Sequence, residues 1–215
     1  APQLVPGRAV ALVIDDASRV PLAEAPATRG FFDGGRIRVV RRPRAGGPGA
    51  ARNTGFAEAR LLGVDVVVLL DSDCVPPPDY VATHLALHDE MPDVACVGGA
   101  IEGFGEGFWA RVDAAMSWFT SIPGTPAREV RFPVHIPTAN MSLKAAALEP
   151  FVEGLRYAGE DALFVLALLA NGRRARYAAR PVLRHRDRIG FAAVFRHQFR
   201  WGYPTYWIRV GFDMS

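Results

Sequence analysis

An α/β fold with a mostly parallel central sheet flanked by helices is what this sequence predicts, on three observations. The first is the run Val66-Val67-Val68-Leu69-Leu70, which halts at Asp71-Ser72-Asp73. An apolar run without alternation reads as a strand buried on both faces, as in parallel sheets. The second is AVALVI over residues 9–14, a similar run that also ends in acid, Asp15-Asp16. The third is the succession strand, loop, helix, strand between residues 37 and 70. That rhythm is the βαβ unit, which builds parallel sheets with right-handed crossovers.

Each element follows from local signals. Residues 20–35 are rich in Pro, Ala and Gly and read as an irregular or weakly helical connection. A short strand over 37–40 leads to the flexible Gly-rich stretch 44–49, then to a helix over 50–62 closed by Gly63. After the strand at 66–70, Pro76-Pro77-Pro78 forbids helix, and Asp79 can cap a helix from Tyr80 to about His88. Residues 94–101 read as a strand. Glycines, aromatics and prolines between 103 and 137 predict mostly loop, and 138–144 lead into a short helix. Gly159-Glu160-Asp161 opens a helix over 162–170 that is apolar nearly all round, hence buried, and Asn171-Gly172 closes it. A last strand over 176–183 and an amphipathic helix over 190–201 complete the chain. No internal repeat or long linker breaks it, so a single domain is expected.

Composition narrows the classes. Of 215 residues half are hydrophobic and 22% charged, enough for a sizeable core and against disorder. No apolar run approaches the roughly 20 residues that span a bilayer. The opening APQLVPGR has neither the charged start nor the apolar core of a signal peptide. Cys74 and Cys96 are the only cysteines and form no CxxC, which argues against a structural disulfide or zinc site and for a cytoplasmic setting. The net charge is +3, and Lys144 is the only lysine. The arginines cluster at 41–44, 173–176 and 184–188, either as solvated faces or as contacts for anionic ligands or a negative membrane surface.

The acidic strand end carries the chemistry. Ligands of open α/β sheets sit beyond the carboxyl ends of the strands. Two carboxylates there, Asp71 and Asp73, could hold Mg²⁺ or Mn²⁺, which favour hard oxygen ligands. A bare Asp-x-Asp can equally be an acidic turn. A carboxylate at a helix start, as at Glu160-Asp161, is held ionised by the dipole and the free N–H groups.

The order IDDAS (14–18), GGPGAARNTG (46–55), LLDSDCVPPPDY (69–80), PTANMSLK (137–144), GED (159–161) and HRD (185–187) resembles the family 2 glycosyltransferases of the Rossmann-like GT-A fold. Each motif is weak alone; six in this order, across nearly the whole chain, are specific. The resemblance implies inverting, metal-dependent transfer of a sugar from a nucleotide-diphosphate sugar (UDP, GDP or dTDP type) to a hydroxyl acceptor. It makes Asp73 the metal ligand, with Asp71 on the ribose or on water bound to the ion, Ser72 between them, and His185 completing the metal site. It places Asp15 and Asp16 at the base and ribose, with Asp16 accepting the imide N–H of a uracil. Arg52 would pair with base or diphosphate, Asn53 and Gly55 would shape the helix against the sheet, and Asn140 with Thr138 would touch donor or acceptor. Asp161 becomes the general base that takes the acceptor proton, with Glu160 close to the acceptor. About 1–98 forms the nucleotide-sugar half, about 99–190 the acceptor half, and 191–215 a C-terminal amphipathic segment.

Two departures stand out. The processive signature QxxRW reads here as HxxRW, from His197 to Trp201, which favours transfer of a single sugar. The chain also opens at what corresponds to the family's second strand, so either residues of the first strand are missing from this stretch or that edge of the sheet is filled some other way. Beyond Trp201, Tyr203-Pro204-Thr205-Tyr206-Trp207-Ile208-Arg209 mixes aromatics with arginine and suits packing, a lipid-linked acceptor, or peripheral contact at the inner face of a membrane. Two other classes compete. A nucleotidyltransferase would carry a Gly-rich basic loop after its first strand, which is not seen. A non-catalytic module binding nucleic acid or an anionic surface would rely on the arginine clusters alone; no nucleic-acid partner is expected.

Overall fold

The structure, a computed structural model, describes residues 9–28, 37–131, 134, 136–155 and 158–212; of residues 27, 204, 205 and 207–212 it describes the backbone alone. The α/β class is as expected. Strand β1 (Ala11–Asp15) pairs in parallel with β2 (Ile37–Arg41), and helix α1 (Gly47–Leu61) leads on to β3 (Val66–Leu70). Then come β4 (Cys74–Val75), α2 (Tyr80–Glu90), β5 (Val94–Phe104), α3 (Phe108–Trp118), β6 (Arg128–Glu129) and β7 (Asn140–Lys144). Helix α4 (Glu160–Ala170), β8 (Arg174–Arg186) and α5 (Phe191–Phe212) close the order. The larger sheet runs β3-β7-β5-β8-β4, with β6 beside β8. It is mixed. β5 and β8 are parallel, while β7 runs antiparallel to both β3 and β5. Strands β3, β5 and β8 therefore share one direction, and β4, β6 and β7 oppose them.

The apolar run of β3 is split between two layers, as an unalternating strand should be. Val67 and Leu69 join Phe56 of α1, Phe164 and Leu168 of α4 and Met141 of β7 on one face. Val68 joins Tyr80 of α2, Trp118 of α3 and Leu183 of β8 on the other. Helices α1 and α4 thus cover one face, and α2, α3 and α5 the other.

Several elements differ from the sequence reading. Helix α1 begins three residues earlier than expected, because the Asp16 carboxylate accepts the N–H groups of Gly46 and Gly47 and holds the glycine-rich stretch as a first turn. Pro48, with its fixed φ and missing N–H, suits that turn. The expected loop over 103–137 contains α3 (Phe108–Trp118): between Gly107 and its end there is no further Gly or Pro, and Ala110, Asp113 and Ser117 form its buried face. Two polar residues on that face hid the helix from a hydrophobicity reading. The segment read as leading into a short helix is the central strand β7, followed only by a single 3-10 turn at Ala145–Ala147. Its polar residues face α2, where His84 Nε2 meets Asn140 Oδ1 at 3.0 Å and His88 Nε2 meets the Ser142 hydroxyl at 2.9 Å.

Strand β8 runs well past both expected ends. Its tail alternates, with Leu183 and His185 buried and Arg184 and Arg186 exposed. The long arginine stems make this stretch look solvated in sequence, although every second residue points inward. Several of the clustered arginines are engaged within the fold: Arg41 with Asp15, Arg42 with Asp16, Arg174 with Asp93 and Glu129, and Arg188 with Asp113. No helix among the described residues is long and apolar enough to cross a membrane. Phe191, Phe195 and Phe199 of α5, four residues apart, are exposed.

Candidate active site

The carboxyl ends of β3 and β8 and the start of α4 converge. After β3 the chain turns through Asp71-Ser72-Asp73, and β4 then pairs antiparallel with the end of β8, setting Cys74 opposite His185. The N–H of Arg186 donates to the Asp73 carbonyl at 3.0 Å, fixing the turn against β8. His185 Nε2 lies 3.4 Å from Asp73 Oδ2, with the imidazole buried and the carboxylate half-exposed. Hydrogen bonding to His185 holds the Asp73 carboxyl below its usual range, against burial. Asp73, Cys74 and His185 form the one group of three metal-capable side chains among the described residues, their ligand atoms within 4.8 Å of one another.

Asp73 and His185 fit a hard divalent ion: two ligands of one such ion at about 2.1 Å stand about 3 Å apart. Cys74 fits less well. Burial, then Asp71 and Asp73, push its thiol up to about 12, and a protonated thiol is a poor partner for Mg²⁺ or Mn²⁺. The sequence reading passed over Cys74 for lack of a CxxC; its nearness to His185 comes from strand pairing.

Arg52 is the hinge of the site. From α1 its Nη1 donates to Glu160 Oε1 at 2.7 Å and its Nη2 to Asp71 Oδ1 at 3.1 Å. The guanidinium also lies over the Phe151 ring, 5.5 Å from the centroid. Burial opposes its charge, yet Asp71 and Glu160 raise its pKa further. One arginine thereby joins the Asp-x-Asp turn to the Glu-Asp pair. Glu160 and Asp161 open α4 after Gly159, whose φ of 114° favours glycine. Glu160 is buried against Arg52, whereas Asp161 is partly open, with Oδ1 accepting the Ala162 N–H at 2.8 Å.

Other expected site residues are placed differently. Asp15 is almost wholly buried and accepts from Ser18 N (2.8 Å), Leu22 N (3.2 Å) and Arg41 (2.6 Å). The Ser18 hydrogen bonds, ahead of those from Leu22 and Arg41, hold it far below the usual carboxylate range. It therefore locks the turn after β1. Asp16 stays partly open, but its oxygens take Arg42 (2.5 Å) and the N–H groups of Gly46 and Gly47. Burial opposes and these donors outweigh it, so Asp16 too is held low.

Asn140 sits in the core. It is fully buried, donates to the Ala100 and Pro181 carbonyls at 2.8 and 3.0 Å, and meets His84, so its amide serves the core. Thr138 is buried as well, and Ser72 is exposed at the turn. Asn53 pins the 151–153 segment to α1 through three hydrogen bonds, and Gly55 faces Ile14 of β1 with room for an ordinary side-chain contact. The side chains of Pro204, Thr205, Trp207, Ile208 and Arg209, part of the aromatic tail, lie outside the described residues, as do residues 1–8.

Behind His185 lies a set that sequence reasoning missed. Asp187 and Asp113 are buried, and Asp113 accepts from the Arg188 backbone at 2.9 Å and from its guanidinium at 3.3 Å. Burial raises the pKa of Asp187. The inward alternation of β8 was the available signal.

The acidic end of β3 and the carboxylate start of α4 thus meet at one edge of a mixed α/β sheet, where ligands of such sheets sit. Residues 11–150 match the family model described as Glycosyl transferase family 2, and the chain belongs to that family. It is similar to the succinoglycan biosynthesis protein ExoW of Rhizobium meliloti (strain 1021), 40% identical over 100 residues, covering 46% of this chain and 30% of that protein. It is also similar to the pre-mycofactocin glycosyltransferase of Mycobacterium tuberculosis, 29% identical over 185 residues, covering 82% of this chain and 37% of the relative. The chain thus spans about a third of the length of these curated relatives. Among solved structures, GalNAc-T7 with UDP, GalNAc and Mn²⁺ superposes with a TM-score of 0.61 at 16% identity, over 84% of this chain and 38% of that one. S. aureus TarS 1-349 does so at 0.60 and 21%, over 82% and 51%. These likenesses establish the fold.

Proposed function

We propose that this chain carries the catalytic site of an inverting, divalent-metal-dependent glycosyltransferase that moves a sugar from a nucleotide-diphosphate sugar to a hydroxyl acceptor. The observation that carries the reading is Arg52, which ties Asp71 of the Asp-x-Asp turn to Glu160 beside Asp161. A metal-bearing turn and a carboxylate base are of use to one another only if they share a site.

Asp73 and His185 would hold the ion, with Asp71 in support. When bound, Mg²⁺ or Mn²⁺ supplies charge neutralisation at the leaving diphosphate. Arg52 adds a fixed cation facing the same region. Asp161, at the start of α4, takes the acceptor proton as the hydroxyl oxygen attacks the anomeric carbon. The bond from that carbon to the diphosphate breaks, and its electron pair leaves with the nucleoside diphosphate. Glu160 cannot share this role while its carboxylate is bound to Arg52; it orients Arg52 instead. On this reading residues 1–98 form the donor half, with Asp16 and Arg42 nearest the base, and 99–190 the acceptor half. The exposed phenylalanines of α5 support an acceptor with an apolar portion or contact with a membrane surface.

The deciding experiment is a thermal-shift panel of UDP, GDP, dTDP and CMP with and without Mn²⁺. Ligands of the folded state raise its midpoint with affinity and concentration. A rise with one nucleoside diphosphate, present only with Mn²⁺ and lost in Asp73→Ala, is expected. Equal shifts with and without the metal would overturn the metal dependence.

A further inference from the structure

We propose that Asp187 is the positioning residue for His185: it receives the Nδ1–H of the imidazole and keeps Nε2 turned to Asp73. The inference rests on the reading of Asp73 and His185 as the metal-holding pair and adds a residue that this reading does not use. Residues two apart on a strand project to the same side, and the inward alternation at the end of β8 continues through Asp187, next to His185. His185 Nδ1 and Asp187 Oδ1 stand 3.7 Å apart, with both side chains at least nine-tenths buried.

Both of those atoms are buried, and neither has a hydrogen-bond partner among the described residues. Two complementary groups left facing each other at this distance are one small rotation from a hydrogen bond. The other sides of the pair are fixed. The Trp118 ring meets the imidazole edge-on at 4.7 Å. A Cβ at Gly103 would come within 2.3 and 2.6 Å of the Asp187 oxygens, and one at Gly105 within 3.3 Å of its Cβ. The two glycines form a cradle that only a bare backbone leaves open for this carboxylate.

The chemistry explains why such a cradle is useful. A histidine that ligates through Nε2 must carry its proton on Nδ1, and a fixed acceptor there selects that tautomer and the ring orientation together. Asp73 cannot do this, because it faces the other nitrogen.

The test is a long-range ¹H–¹⁵N NMR assignment of the His185 tautomer at pH 8 in metal-free Asp73→Ala, where no carboxylate competes for a proton on Nε2, combined with Mn²⁺ titration of the otherwise unchanged chain by calorimetry in the presence of UDP. With Asp187 intact, Asp73→Ala is expected to hold the proton on Nδ1. Asp187→Ala added to it should lose that preference, and Asp187→Ala alone should bind Mn²⁺ about 10- to 100-fold more weakly. Asp187→Asn, which keeps a neutral acceptor and the side-chain volume, should recover part of both and covers the case in which the alanine variant does not fold. An unprotonated Nδ1 in Asp73→Ala, or Mn²⁺ affinity in folded Asp187→Ala within twofold of wild type, overturns the proposal. If Asp73→Ala and His185→Ala leave Mn²⁺ binding untouched, the metal reading itself has failed, and the tautomer alone then decides the role of Asp187.

Discussion

Arg52 holds two carboxylates at once, and its removal should be felt twice. With the guanidinium gone, Glu160 stays buried without a partner, a situation that costs about 3 kcal/mol or more when one member of a buried pair is deleted. Urea denaturation of Arg52→Ala should show that loss, and Glu160→Gln in the same chain should restore much of it. An unchanged midpoint in the single variant would sink the argument. Asp161 differs because its carboxylate is partly open and its part is in the reaction. Asp161→Asn should keep donor binding in the thermal-shift panel while turnover falls about 10²- to 10⁴-fold; loss of both together would mean a structural role. Asp71, Asp73 and Glu160-Asp161 were legible as acids at the ends of apolar segments, because that position alone gives them meaning. Cys74, Asp113 and Asp187 were not, since their relation to His185 depends on which β8 residue faces which neighbour. Asn140 looked like a ligand contact because nothing in the sequence reveals that a histidine 56 positions earlier stands against it.

Among the elements, α5 has the most uneven surface. Its inward face carries Val194, His197 and Trp201, the last stacked edge-on against Trp118 of α3. Phe191, Phe195 and Phe199 lie away from that face and are exposed, next to the exposed Arg196 and Arg200. An aromatic face edged by arginine suits an anionic bilayer surface. Vesicles of anionic lipid should therefore co-sediment the chain more strongly than neutral ones, and Phe195→Glu with Phe199→Glu should abolish the difference. Equal recovery with both lipids would remove the membrane from the proposal. The sequence showed the first half of this helix through its period, but not its run from Trp201 to Phe212, where Pro204 and clustered aromatics break the pattern; β3 was shown by its unbroken apolar run. Helix α3 and strand β7 were missed for a common reason: each buries polar residues (Asp113 and Ser117, Asn140 and Ser142), so the apolar period that marks an element is interrupted.

At the scale of the whole molecule, buried imidazoles set the response to acid. Burial lowers His84 to about 4, against a Ser/Asn-lined strand. His197 is likewise lowered to about 4, by burial and then by Arg188, and burial lowers His88 in the same direction. Each is neutral in the folded chain at a pH where the unfolded chain binds a proton. For His84 and His197 stability is then complete above about pH 6.5 and is lost as pH falls toward 4, at about 1.4 kcal/mol per unit each, and His88 acts in the same direction. Urea midpoints between pH 7 and 5 should drop accordingly, and His84→Gln should reduce the slope by about one histidine. A flat profile would mean that these rings take up protons as readily in the fold as in the unfolded chain. The sheet covered by helices on both faces was itself readable, because a strand apolar on both faces demands a cover on each.

The pairing of His84 and His88 with Asn140 and Ser142 also acts on the assembly of the sheet. Side chains alternate along β7, so sliding it by one residue would turn Met141 and Leu143 toward the two imidazoles and push Asn140 and Ser142 into the apolar layer under α4. Both changes leave buried polar atoms unmatched. Hydrophobic burial alone would tolerate neighbouring alignments of this strand. Two histidines one helical turn apart accept only one, and they work as a ruler against which the middle of the sheet is measured.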